Sequence, residues 1–277
     1  MAILFLVFNS IACNSGFNTE DPDDDGNSST PPVTGTTSDG FVYSETTTIT
    51  ITGYIGAGGT LGIPPVINEK QVTAIANANT VYPNGVFQGK NLTSISLPNS
   101  ITSIGSEAFR DNQLTYIALP TYLISIGSRA FLNNQLAGSL TIPNRVTTIG
   151  VYAFGNTDTL FLGNRLTSVT IGNQVTTIGS YAFYCNMMTS VTIGNQVNTI
   201  ESYAFNTNML TSVSIPSSVT TIGSYAFYYN PLESVTIGAN VILSSNAFGY
   251  GFEAAYNAAN KAAGTYTRTS STGWTKT

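Results

Sequence analysis

Read for its apolar positions, the 277-residue chain is irregular at first and then strongly periodic. Phe recurs at Phe87, Phe109, Phe131, Phe154, Phe183, Phe205, Phe227 and Phe248, following Ala in every case but Val86. The intervals are 22, 22, 23, 29, 22, 22 and 21 residues. Within one unit, Val213 and Ile215 alternate with Ser212 and Ser214. A period of two in β-branched residues predicts a short strand with one buried face. Pro216 ends that strand because proline has no N–H to continue a ladder. Val219 and Ile222 predict a second extended segment, and Gly223 a turn. Stacked coils would turn Leu210, Val213, Ile215, Val219, Ile222, Ala226 and Phe227 inward. A large apolar side chain contributes about 1.5–3 kcal/mol when buried, so one coil gains little and stacking makes the core continuous. The expectation is a β-rich solenoid of about eight 22-residue coils.

A second column accompanies the Phe column. Asn112, Asn134, Asn164, Asn186, Asn208 and Asn230 each stand two residues before a Leu, Met or, in the last unit, the Leu after Pro231. A buried amide can bond donors and acceptors of adjacent coils where regular pairing stops, so the column is read as structural. Residues 249–277 break the period. Six alanines between Glu253 and Ala263 predict a short helix covering the last coil, with Trp274 packed nearby.

The N-terminal region differs in kind. Ala2 to Phe8 are uniformly apolar, far too short to span a bilayer but suited to a secretory signal. The segment ending Ser10-Ile11-Ala12-Cys13 resembles a bacterial lipobox, although Ser10 stands where Leu is usual. Residues 1–13 are therefore read as a lipoprotein-type signal with lipidation at Cys13. Residues 14–40 are rich in Ser, Thr, Asn, Pro and Asp, and read as a disordered acidic linker. Asp21 to Gly26 matches the start of a calcium loop, but its twelfth position is Pro32, not Glu.

Charge then removes function classes. Only nine Lys or Arg and fourteen Asp or Glu occur, with no His. No imidazole relay or imidazole metal ligand can form, and nine scattered cations make no nucleic-acid stripe. Six of the acids lie in residues 1–40, leaving the body at net +1. Glu107 and Asp111, the nearest acids of the body, read as solvated turn residues. No catalytic constellation, metal site or cofactor is expected, and enzyme activity is not.

The repeated pattern L-T-S-V-T-I-P-x-x-V-T-T-I-G-x-x-A-F resembles the BspA-like leucine-rich repeats of bacterial surface proteins. The resemblance implies a leucine-rich-repeat array over residues 91–250, an N-terminal cap and divergent first coil over 41–90, and a C-terminal cap over 251–277. Family members often carry Cys in the Asn column; here Cys185 sits one place earlier and is expected to be a lone buried thiol. The resemblance also implies a surface-exposed or secreted adhesin or interaction module, attached to the membrane only through a lipid anchor. Its partner would be an extracellular protein, host matrix or receptor, or a glycan, and not nucleic acid. A structural role in the bacterial envelope and a carbohydrate-binding module are the alternatives. Candidate contact residues are Tyr152, Tyr181, Tyr203 and Tyr225, which precede Ala-Phe, and Leu160, Phe161 and Leu162, in the insert behind the 29-residue interval. The outward hydroxyls from Ser94 to Thr236 form a third candidate surface.

Overall fold

The computed structural model describes residues 32–78, 84–157, 163–271 and 273–277. Cys13, Leu160, Phe161 and Leu162 lie outside them. The chain opens as an antiparallel meander of Val33–Thr36, Phe41–Glu45 and Ile49–Tyr54. Composition had placed Val33–Thr36 inside the linker. An edge strand needs only backbone pairing, and Thr34, Gly35 and Thr36 sit in register with Ser44, Tyr43 and Val42 without an apolar face to betray them. Lys70–Ile75 then pairs parallel to Ile49–Tyr54 and starts the stack.

Each coil has three sides. On the first, two-residue strands pair in parallel without interruption: Ser103–Ile104, Ser125–Ile126, Thr148–Ile149, Thr177–Ile178, Thr199–Ile200, Thr221–Ile222 and Ile242–Leu243. Their isoleucines point inward and are buried through Ile222. Glycine follows five of these strands, where a Cβ would meet the coil before it, as on Gly150 at 2.5 Å from the backbone of Gly127; Glu201 and Ser244 follow the other two.

On the second side lie the longer Ser/Thr strands. They do not form one sheet. Gly59–Gly62 pairs with Leu92–Ser96; Ala137–Thr141, Arg165–Thr170 and Ser190–Thr192 make a second group; Ser212–Ser214 and Ser234–Ile237 belong to a third. The first interruption falls at residues 115–119. There Tyr116 and Ala118 replace the outward hydroxyls, and the next coil carries an extra residue, Gly138, at φ +76°. The hydroxyl face expected from the sequence is therefore broken at Tyr116 and Ala118, and beyond that break its strands pair in two groups whose neighbouring members, Ser190–Thr192 and Ser212–Ser214, remain in contact.

The third side is a tight turn containing Ala-Phe. Phe205 donates its N–H to Ala226 O at 2.8 Å, and the same bond recurs from Phe109 to Ala130 and from Phe183 to Ala204. The phenyl rings from Phe87 to Phe248 stack one per coil with centroids 5.1–5.6 Å apart. The 29-residue interval leaves this ladder intact, with Phe154 and Phe183 at 5.6 Å. On either side of the insert, Asn156 accepts the Asn164 N–H at 2.7 Å and donates to the Asn164 carbonyl at 2.9 Å.

The far end is closed by a helix, Phe252–Ala258, and a hairpin, Gly264–Arg268 with Trp274–Lys276. The hairpin adds antiparallel to Ser234–Ile237 and so occupies the edge of the last sheet. Phe252, Tyr256, Tyr266 and Trp274 are buried beyond Phe248. The helix stops short of Ala263 because Asn260 and Lys261 adopt left-handed conformations, and the Lys261 carbonyl takes the Asn240 N–H.

Candidate functional site

The four repeat tyrosines come together on the third side. Tyr152, Tyr181, Tyr203 and Tyr225 all have positive φ, 56–61°, a region that costs an L-residue with a bulky side chain roughly 1–2 kcal/mol. Bonds between coils hold that backbone: the Tyr152, Tyr181 and Tyr203 N–H groups donate to the carbonyls of Ser180, Ser202 and Ser224. The left-handed turn throws each ring out of the core. Successive rings then stack at 4.4, 4.6 and 5.1 Å.

A second set of rings stands across this column. Tyr184 lies edge-on to Tyr181 at 5.5 Å, and Tyr228 edge-on to Tyr225 at 5.3 Å. Tyr229 and Tyr250 flank Tyr228. Between the two sets runs a trough of about 650 Å³, rimmed by Asn156, Thr157, Asn206 and Thr207. Among the described residues no Lys, Arg, Asp or Glu lines it. Burial pushes the phenols of Tyr152, Tyr181 and Tyr184 above the ordinary value, and the hydrogen bond with Tyr250 raises Tyr228. The described lining presents hydroxyls, amides and ring edges.

Sequence reasoning missed Asn156, Asn206, Thr207 and Tyr250 as members of this surface and placed Thr157 only in the insert. The signal was present for Asn206 and Thr207, which follow Ala-Phe one and two places after Phe205. Tyr250 follows the last Ala-Phe by two residues, where the period is already failing.

Comparison with known proteins places this geometry. The model of the BspA type leucine rich repeat region matches six copies over residues 80–160 and 157–252, more than half of the chain. The chain belongs to the BspA type leucine-rich-repeat family. Its fold is shared with a leucine rich cell surface protein from Faecalibacterium prausnitzii A2-165, at 22% identity over 89% of this chain and a TM-score of 0.52. The BspA type chain spans 61% of that protein's length. A leucine-rich repeat protein from Bacteroides ovatus ATCC 8483 aligns over 76% of this chain and 67% of its own, with 20% identity and a TM-score of 0.44. No curated protein matches the sequence significantly.

In this BspA type array the asparagine column lies inside, not at the trough. Asn112, Asn134, Asn164, Asn186 and Asn208 are buried, and Asn230 is partly so. Each side-chain oxygen accepts an N–H from the coil before, as Asn186 does from Leu166 at 3.1 Å and Asn230 from Leu210 at 3.0 Å. Each Nδ2 donates to two Phe carbonyls, one in its own coil and one in the coil before. The acids expected to be solvated are paired instead. Glu107 meets Arg129 at 3.0 Å and Arg110 at 3.4 Å, and Asp111 meets Arg110 at 3.0 Å. Glu107 and Arg129 occupy the same left-handed slot as the tyrosines two and one coils before Tyr152, so the column changes from an ion pair to an aromatic stack along the array.

Proposed function

We propose that this BspA type protein is a non-enzymatic binding protein of the bacterial cell surface, held by a lipid on Cys13, whose tyrosine trough contacts an extracellular protein. The observation that carries this reading is the trough itself: rings from four successive coils project outward at the cost of left-handed backbone, and enclose an uncharged concave surface. Tyrosine is favoured in such surfaces because it offers rigid area with a polar tip. The stacked column occupies its own ring faces, which leaves edges and hydroxyls for the partner and favours a protein over a sugar ring. The leucine rich cell surface protein with the same fold supports the location as well as the architecture.

Binding of the full chain to a panel of purified extracellular-matrix proteins tests the reading. Saturable binding that falls at least tenfold in the double variant Tyr181→Ser, Tyr203→Ser, and changes little between low and physiological salt, is expected. Loss of affinity with rising salt, or equal binding by the variant, refutes the assignment of the trough. Signal on a glycan array, dependent on the same tyrosines, selects the carbohydrate reading; self-association without any partner selects the envelope-assembly role. Metabolic labelling with a fatty-acid analogue that persists in Cys13→Ala refutes the anchor.

A further inference from the structure

The interruption of the Ser/Thr side at residues 115–119 leaves backbone groups that the rest of the coil would pair. In a parallel strand, alternate residues bond to opposite neighbours. Ala137 donates its N–H back to Thr115 O at 3.1 Å, while Ile142 donates forward to Thr170 O at 2.8 Å. Ser139 and Thr141 share the phase of Ala137, so their N–H and C=O groups point to the earlier coil. Residues 116–119 make no backbone hydrogen bond to that strand or to Leu92–Ser96. Gly138 adopts a left-handed conformation here, where the register with Arg165–Thr170 shifts, and a groove of about 640 Å³ lies along the two coils. Ser139 and Thr141 are exposed along it, as is Tyr116.

Two features give the groove a preference. Its wall combines Tyr116, Ala118 and Leu119 with the unpaired edge, so one side can take apolar side chains and the other a peptide backbone. At one end the Arg145 guanidinium lies 5.5 Å from the centre of the Tyr122 ring, and no carboxylate among the described residues pairs with it. Arg145 is therefore a positive group in a body with few others.

We propose that this groove is a second binding site, distinct from the tyrosine trough, which takes an extended acidic peptide of a partner protein as an added strand on Ser139 and Thr141, with an Asp or Glu on Arg145. Strand addition draws affinity from main-chain bonds and specificity from alternate side chains.

A phage-displayed hexapeptide library selected on the full chain supplies the probe. Enriched peptides should alternate apolar residues and carry Asp or Glu. Their affinity should fall at least tenfold on Thr141→Pro, which removes an N–H that bonds to nothing among the described residues, and severalfold on Arg145→Gln. Amide exchange at Ser139 and Thr141 should be fast in the free chain and slowed by the selected peptide. Slow exchange in the free chain, unfolding of Thr141→Pro, failure to enrich peptides, or binding unaffected by both variants would each overturn the proposal. So would dimerisation of the chain through this edge, abolished by Thr141→Pro, since the edge would then serve a second copy.

Discussion

Replacing Asn208 by Ala should cost far more than one surface asparagine can. Its Oδ1 accepts the Met188 N–H at 3.1 Å, and its Nδ2 donates to Phe183 O at 3.0 Å and Phe205 O at 3.1 Å. The two carbonyls have a second donor each: Asn186 serves Phe183, and Asn230 serves Phe205. Only the Met188 N–H is stranded outright. An orphaned buried donor costs about 1–3 kcal/mol, and each of the two weakened carbonyls about 0.5–1.5 kcal/mol, which gives about 2–6 kcal/mol in all. Exposed Asn195 replaced by Ala should change stability by no more than about 0.5 kcal/mol. The comparison is read from the midpoint of urea unfolding, together with amide exchange at Met188. A loss below about 1 kcal/mol, or a Met188 amide still protected in the variant, would refute the ladder as the element holding these turns.

Asn208→Asp separates the two halves of the amide. One carboxyl oxygen can still accept from Met188, but the other would face the Phe183 and Phe205 carbonyls, which favours the protonated acid. The folded pKa of the new group is therefore raised. The stability it contributes is present below the unfolded value of about 3.9 and is lost as pH rises through the folded one. The variant should approach the wild type near pH 4 and diverge from it at pH 7. A gap that is constant with pH would mean that the side chain is solvated there.

Other expectations follow from close packing and burial. Gly150→Ala would place a Cβ 2.5 Å from the Gly127 backbone and should destabilise by about 1–3 kcal/mol, visible as a lower unfolding midpoint. Glu253 in the cap has a buried Oε1 that meets no partner among the described residues, and burial raises its carboxyl pKa. Its contribution is present below pH 4.5 and lost as pH rises through the folded value, so Glu253→Gln should stabilise at pH 7 and be neutral near pH 4 by thermal melting. The phenols of Tyr152, Tyr181 and Tyr184 are raised by burial, so the fold should lose stability above pH 10, less steeply in Tyr181→Phe. Absorbance titration of the phenolate beside circular dichroism would reveal the order of ionisation and unfolding.

The inward pattern was readable because a strand with one buried face and a turn with one buried Phe leave periods that survive substitution. The long β-stack and the Phe ladder were both visible in it, while the hairpin carrying Trp274 was not. What composition concealed was pairing without burial: Val33–Thr36 forms an edge strand from residues that suit a linker equally well. The trough was half legible. A column of Tyr before Ala-Phe is plain in the sequence, but the left-handed backbone that turns the rings outward, and the edge-on Tyr184 and Tyr228 that make the surface concave, depend on coil geometry. The groove had two clues that were easy to pass over, the single 23-residue interval containing Gly138 and the replacement of outward hydroxyls by Tyr116 and Ala118.

These departures also show which positions of the coil are free to change. On the side of the two-residue strands, the following position is glycine in five coils, where a Cβ would meet the backbone of the coil before, and only Glu201 and Ser244 depart from it, so contact limits variation there. The left-handed slot before Ala-Phe is the opposite case. Its backbone is fixed by bonds between coils while its side chain lies outside the core, so Glu107, Arg129, Tyr152 and Tyr181 occupy it without altering the Phe ladder beneath. Side chains there repeat at one coil spacing, about 5 Å, on a rigid support. A partner following the column would meet an ion pair at one end and a neutral aromatic surface at the other. Chemistry can thus be rewritten coil by coil at this slot while stability is carried by the residues on either side of it.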